Sequence, residues 1–440
     1  MTEDQSREQS RAESRAQTPV VWEELRYGPW QGVLLPKQPP PEDVREDLDL
    51  PRGIRPIDDE TVTQQPVFDP ALAGYSRALR PSEPAFTDPL LAERWLAARR
   101  EALSTVLSAV AGSPWAEHLV LRGSVLLRAW YGEQAREPGD LDFVVRPVEW
   151  SLEDERTDRM FEELAAAAER LSGAVRLHAD EAVGDEIWTY SRIPGRRLVL
   201  PWSAPGLPGG SVQLDFVFTE HLPVPPQPYL LPGVTGPLLG ATPQLSLAWK
   251  VLWLVSDNHP QGKDLYDAIL LSRTAELPYD LLRQVFTHAD ENWSCWPVFP
   301  GQISGLEVDW EEFAKDYPQF AEPVEEYPAE LLAALHPTFA DHGEYALRAQ
   351  WLAPLIGELR EVLAREGMDE VQQRMSGRRM LPDNTLVVTC ELLGGDLDGA
   401  ERVVADHLDA RPDRTTRLLV EAAARYAGEL TGDGSVSADS

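Results

Sequence analysis

The stretch that most constrains this chain runs from His118 to Val145, HLVLRGSVLLRAWYGEQAREPGDLDFVV. HLVL (118–121) reads as a short strand, Gly123-Ser124 as a turn and Ser124–Tyr131 as the first turns of a helix. DLDFVV (140–145) reads as a second strand. Successive side chains of a strand point to opposite faces, so Asp140 and Asp142 project together while Leu141 enters the core. Aspartate is disfavoured in strands, and two adjacent carboxylates repel unless a cation lies between them. A hard divalent ion that prefers oxygen ligands, Mg²⁺ (or Mn²⁺), meets that need.

The tetrapeptide Gly-Asp-Leu-Asp recurs at 395–398, and there its surroundings differ. Leu-Leu-Gly precedes it and Gly-Ala-Glu-Arg-Val-Val follows, which is a helical rather than a strand pattern. Asp396 or Asp398 is expected to cap that helix, with Gly395 ending the one before. The tetrapeptide alone therefore carries no chemistry; its flanks decide.

Beyond the two-strand segment, the elements alternate in a way that suits an α+β fold. A helix capped by Thr87 or Asp88 is expected over Pro89–Ala111, and another over about 154–172. Residues 174–179, 186–193, 197–202 and 211–218 read as strands. From Thr242 the pattern turns helical: 243–258, 262–273, about 328–337, 343–366 and a final pair near 384–428. Four regions result: a disordered, Pro-rich N-terminal arm (1–85), a core (86–240), a helical C-terminal region (241–430) and a flexible tail (431–440). Within the arm, Trp22, Trp30 and Tyr75 indicate segments able to pack on the body.

With 40 basic and 73 acidic residues the formal charge is −33. Such a surface repels nucleic acid over most of its area, so an RNA contact must be local and basic. Arg128, Arg136, Arg146, Arg192, Arg196 and Arg197 could supply that patch; a scattered solvated face fits them equally. Two isolated cysteines, Cys295 and Cys390, give neither a zinc pattern nor a disulfide framework, which suits a reducing cytoplasm. The N-terminus lacks the apolar core of a signal peptide, and no apolar run approaches the roughly 20 residues of a membrane span.

Several residues combine into one chemistry. Gly123 lets backbone approach a phosphate, the helix beginning at Ser124 favours an anion, and the Ser124 hydroxyl adds a hydrogen bond. Asp215 in QLDFVF stands on an apolar strand like Asp140 and Asp142, and can add a third carboxylate. Lys250 lies on an otherwise apolar helix, where a lone ammonium is costly without an anion; snorkelling from a helix flank is the plainer reading. Asp264 and Asp267, at i and i+3, share one helix face and could orient Lys250, a nucleotide base or a metal-bound water. A phosphate cradle beside a carboxylate metal site suits phosphoryl or nucleotidyl transfer.

Strand, Gly-Ser, helix, Asp-x-Asp strand and a third Asp is an order similar to the DNA polymerase β-like nucleotidyltransferase superfamily. Within it, residues 95–275 resemble the AbiEii/AbiGii-type nucleotidyltransferase toxins, which carry a later Lys (here Lys250) and a Lys-Asp-x-x-Asp group (Lys263, Asp264, Asp267). Pro138 replaces the serine usual two residues before the first Asp, and Arg122 replaces the first glycine of the turn. The resemblance implies a polymerase β-like core of mixed sheet with helices, followed by a helical C-terminal domain. It implies metal-dependent transfer of a nucleoside monophosphate from an NTP to an acceptor, such as a tRNA 3′ end, and a cognate antitoxin partner. The expected metal ligands are Asp140, Asp142 and Asp215, gathered about one point, with Asp215 also activating the acceptor. Gly123, Ser124, Arg128, Lys250 and Asp264 would bind the nucleotide, and Lys250 and Asp267 would join the three carboxylates in catalysis. The alternative is a catalytically silent scaffold or protein-binding module that keeps the nucleotidyltransferase fold.

Overall fold

The computed structural model describes residues 18–431 except 20, 26, 29, 31, 190–192, 258, 290–296, 321–325, 341–342 and 409–413. The expectations for 1–17, Arg192, Cys295 and the tail beyond 431 lie outside the described residues. The chain divides into two compact units, Met1–Ala289 with Leu306–Ala334, and Asp290–Gly305 with Leu335–Ser440.

An eight-stranded mixed sheet organises the first unit. Its strands are β1 (Leu119–Arg122), β2 (Asp140–Val145), β3 (Arg176–Leu177), β4 (Val183–Thr189), β5 (Ile193–Ser203), β6 (Gly210–Val217), β7 (Gln227–Tyr229) and β8 (Leu238–Gly240). They are ordered β4-β5-β6-β2-β1-β8-β7, and β3 pairs with β5. β6 runs parallel to β2, while β1 and β2 are antiparallel. The β2 strand spans the residues that alternation predicts, and Leu141 and Phe143 are wholly buried. Phe143 stacks on Phe216 of β6, and Phe216 meets Phe161 at 4.8 Å between ring centroids.

Phe161 belongs to α3 (Glu155–Leu171), which packs with α1 (Pro89–Ala111) over the apolar side of the sheet. Asp88 caps α1 as expected, its carboxylate accepting from the Leu90 amide at 2.9 Å. Between β1 and β2 lies α2 (Ser124–Tyr131). Beyond the sheet come α4 (Pro243–Ser256), α5 (Gly262–Ser272), α6 (Tyr279–Ala289), α7 (Trp310–Asp316) and α8 (Tyr327–Ala334). All five fall in the first unit, together with the sheet. The strands β7 and β8 and the helix α6 have no counterpart in the sequence reading; three-residue strands are too short to show a period.

The Pro-rich stretch before α1 also carries a core. Trp22, Leu25, Trp30, Leu35, Leu48, Leu50, Ile54 and Leu79 form one buried cluster, and Leu72 and Ala78 pack with Ile187 of β4. Asp185 of β4 accepts from the backbone amides of Arg52 and Gly53 and from the Tyr75 hydroxyl, all within 2.8 Å. This segment is thus held against the sheet by a buried carboxylate as well as by apolar contact.

In the second unit, α9 (Glu344–Glu366), α10 (Met368–Gly377), α11 (Pro382–Leu392), α12 (Leu397–Leu408) and α13 (Arg414–Thr431) enclose a core containing Leu359, Val371, Leu386, Val404 and Tyr426. Arg348 joins Glu344 and Asn384 in a buried polar cluster beside it. No helix among the described residues is long and apolar enough to cross a membrane.

Candidate active site

Strand register, more than any motif, gathers charge at one place. Arg122 lies opposite Asp142, Asp142 opposite Asp215, Asp215 opposite Arg197, and Arg197 opposite Asp185. Residues paired across a sheet share a face, so five charges of both signs cross β1, β2, β6, β5 and β4 in one row. Asp140 lies two residues before Asp142, on the same face. Four members of the row, with Asp140, line a cavity of about 230 Å³, and Asp185 joins them on its wall. Gly123, Lys250, Lys263 and Asp264 line it too.

The acidic pair behaves as the strand argument requires. Burial, together with the neighbouring Asp140 charge, pushes the Asp142 carboxyl up to about 7. Burial acts on Asp140 in the same sense, but Lys263, Arg136, Arg80 and Arg197 outweigh it and hold that carboxyl below its ordinary value. One partner of the pair thus keeps its proton readily while the other stays ionised. Gly123 has φ +78°, and a Cβ there would fall 2.2 Å from Asp142 Oδ2. The glycine is therefore required by the close approach of the carboxylate as well as by the backbone. Ser124 is buried at the first position of α2, its Oγ 3.4 Å from Asp140 Oδ1.

Asp215 is differently placed. Arg197 grips it in a two-pronged ion pair, Nε to Oδ1 at 2.8 Å and Nη2 to Oδ2 at 2.8 Å, and reaches Asp69 Oδ2 with Nη1 at 2.7 Å. Burial pushes the Asp215 carboxyl up while Arg197 pulls against it. Its two oxygens are committed to the guanidinium, so Asp140, Asp142 and Asp215 do not converge on one point. Among the described residues, the trio with ligand atoms all within 4.8 Å of one another is the largely exposed His178, Asp180 and Glu181. An all-oxygen donor set at Asp140 and Asp142 fits a hard divalent cation, while both oxygens of Asp215 accept from Arg197.

Lys250 is also internally satisfied. Its Nζ donates to Asp264 Oδ1 at 2.7 Å and contacts Asp267 Oδ2 at 2.8 Å. Asp267, wholly buried, also takes Arg136 at 3.2 Å, and Arg136 donates to the Tyr317 hydroxyl. Burial would raise the Asp267 carboxyl, yet Arg136 and Lys250 hold it low. Burial alone would lower the Lys250 ammonium, but Asp264 and Asp267 reverse this. The helix spacing that puts Asp264 and Asp267 on one face thus orients Lys250.

Arg128 is not in the cavity wall. Its guanidinium holds the carbonyls of Gly132 and Ala135, bracing the loop that leads to β2. The expected basic surface does not assemble from the described arginines: Arg136 and Arg197 are buried in ion pairs, and Arg196 pairs with Asp158. Residues that sequence reasoning missed include Asp69, Arg80, Arg99 and Glu220. Arg99 holds Glu83 and donates to the Gly139 carbonyl, fixing the entry to β2. Glu220 is buried and pairs with Arg122, whose guanidinium also lies over the Trp249 and Trp253 rings. A hairpin register for β5 and β6 would have foreseen the Arg197–Asp215 pair. Nothing local signals Asp69, which lies 128 residues from its arginine.

A family model described as the nucleotidyl transferase AbiEii toxin of type IV toxin–antitoxin systems matches residues 105–341, more than half of the chain. The chain belongs to the AbiEii family. No curated protein matches it at a significant level. The match takes in Gly123, the acidic pair, Arg197, Asp215 and Lys250, while Asp69, Arg80 and Arg99 precede it. The cavity of this AbiEii member is thus walled partly by residues outside the matched region.

Proposed function

We propose that this AbiEii-family chain is a metal-dependent nucleotidyltransferase, acting as the toxin component of a type IV toxin–antitoxin or phage-defence pair. The observation that carries the reading is the Asp140–Asp142 pair. Two carboxylates held side by side at a cavity wall, one of them pushed to about 7, are a site in want of a divalent cation. Asp140 and Asp142 would hold Mg²⁺ or Mn²⁺, which when bound neutralises charge developing on the transferring phosphate. An acceptor hydroxyl attacks the α-phosphorus of an NTP and gives up its proton to solvent, its oxygen–phosphorus bond forms, and the α–β phosphoanhydride bond breaks to release pyrophosphate.

This chain's own groups then have definite tasks. The backbone at Gly123 and the first turn of α2 receive phosphate oxygens, with the Ser124 hydroxyl beside them. Asp264 and Asp267 fix the Lys250 ammonium at the cavity edge, where Lys250 offers its charge to the nucleotide. A tRNA 3′ end fits the family as acceptor, in the cytoplasm and with an antitoxin to restrain the activity.

The closed ion-pair set of Lys250, Asp264, Asp267 and Arg136 favours the second reading, a silent scaffold, because each charge already has its partner. Transfer of α-³²P label from each NTP to bacterial tRNA, with Mg²⁺ and with Asp142→Ala as control, separates the two. Label that disappears in the variant supports the enzyme. Label in neither RNA nor protein, with all four nucleotides, leaves the scaffold.

A further inference from the structure

The Arg197 guanidinium holds both oxygens of Asp215, the third carboxylate that the sequence offers as a metal ligand. We propose that Arg197, positioned by Asp69, is a permanent internal cation of the site, so that this chain holds its divalent ion with Asp140 and Asp142 and not with Asp215. The inference rests on the nucleotidyltransferase reading and narrows it.

Three observations converge. The pair is two-pronged, with both Asp215 oxygens at 2.8 Å from guanidinium nitrogens, the geometry in which an arginine and a carboxylate bind most strongly. It is buried, with Arg197 at 3 % and Asp215 at 7 % exposure, so releasing Asp215 to a metal would leave a largely buried guanidinium with Asp69 as its one remaining carboxylate partner among the described residues. The arginine is also anchored from behind, since Asp69 takes its remaining nitrogen at 2.7 Å. Asp69 itself is tied down by the Asp69–Ala71 turn and the backbone contact to Ala78.

The consequence reaches the N-terminal segment. Asp69 precedes the region matched to the family, yet it sets the orientation of a side chain inside the cavity wall. Asp69 and Arg197 are positioning residues: they touch neither nucleotide nor metal, and act by keeping Asp215 occupied and one positive charge beside the acidic pair. In the row across the sheet, Arg197 stands next to Asp215 as a second cation would.

The test is a Mn²⁺ titration of the full chain without nucleotide, followed by electron paramagnetic resonance, in a His178→Ala background that removes the exposed surface group. Each variant is checked by circular dichroism and thermal melting. The wild-type row should bind one Mn²⁺ that Asp142→Asn abolishes, while Asp215→Asn weakens it by no more than about 100-fold, the upper range of outer residues around a metal. Asp69→Asn, which leaves Arg197 in place but loosens it, should alter the Mn²⁺ affinity and spectrum, whereas Arg197→Lys, which keeps the charge without the two-pronged grip, should keep binding but not the wild-type spectrum. Loss of the ion in a folded Asp215→Asn protein, or two ions in the wild-type row, would overturn the inference while leaving the transferase reading intact. No Mn²⁺ in the wild-type protein would instead remove the metal-dependent reading itself.

Discussion

Gly-Asp-Leu-Asp occurs at 139–142 and at 395–398, and the protein uses the two copies in unrelated ways. In the first, the residues enter β2, and alternation carries both carboxylates onto one face of a sheet above a wholly buried Leu141. In the second, Gly394 and Gly395 take φ of +73° and +94° to end α11, and the Gly395 amide returns to the Cys390 carbonyl. Asp396 then caps α12, accepting from the Gly399 amide at 2.9 Å, with Asp398 in its first turn. In both copies a carboxylate lies where a neighbouring glycine's Cβ would be, 2.2 Å from Asp142 Oδ2 at Gly123 and 2.2 Å from Asp396 Oδ2 at Gly399. Identical residues and similar close approaches give a charged cavity wall in one place and a solvated helix start in the other. What differs is the period of the flanking sequence and what lies across from it.

The largest contrast should come from removing one carboxylate from each copy. Asp142→Ala is expected to lower nucleotide transfer by about three orders of magnitude, the several kcal/mol a bound metal supplies. Asp398→Ala should leave the rate unchanged, and equal losses would mean the two copies are not functionally distinct.

Next comes the backbone. Gly123→Ala combines a positive φ with a clash on the Asp142 carboxylate, and should cost about 2 kcal/mol or more in a denaturant melt along with transfer activity. Gly395→Ala meets no atom within 4 Å, so it should cost only the left-handed backbone penalty of about 1–2 kcal/mol and spare activity.

A pH series sharpens the comparison, because only the first copy is wired to a remote carboxylate. Burial would raise the Asp69 carboxyl, but Arg197, Arg80 and Lys263 bring it from 3.8 to about 2. A carboxyl lowered on folding stabilises the protein above its unfolded value and loses that contribution as pH falls through the folded one. About 2 kcal/mol should therefore disappear between roughly pH 4 and pH 2, and Asp69→Asn should flatten that limb of the stability curve. An unaltered limb in the variant would detach Asp69 from the row.

The smallest effect belongs to the second copy. Asp396→Ala removes a helix cap and should cost about 1 kcal/mol, read as a lower melting midpoint with Mn²⁺ binding unchanged.

Much of this was legible in the sequence where the signal is local. The β2 strand, α1 with its Asp88 cap and the α2 start at Ser124 follow from periodicity and capping chemistry acting over a few residues. The face shared by Asp140 and Asp142, and that shared by Asp264 and Asp267, follow from the same local rules. The Pro-rich stretch was less legible: proline and charge signal an arm, while its cluster around Leu50 and Leu79 depends on contacts between residues far apart in the chain. Strands of three residues such as β7 and β8 leave no pattern to detect.

The amino-acid order by itself determined which residues could carry chemistry, because side-chain spacing on strands and helices is a property of the backbone. Only the tertiary structure decided which charges are available. Asp215 and Arg197 are brought opposite each other by strand register, Asp69 is brought to Arg197 across 128 residues, and Lys250 meets Asp267 when α4 packs on α5. Such pairings form because burial makes an unpartnered charge costly; the partner is whichever opposite charge the fold places within reach, and sequence distance has no say in it.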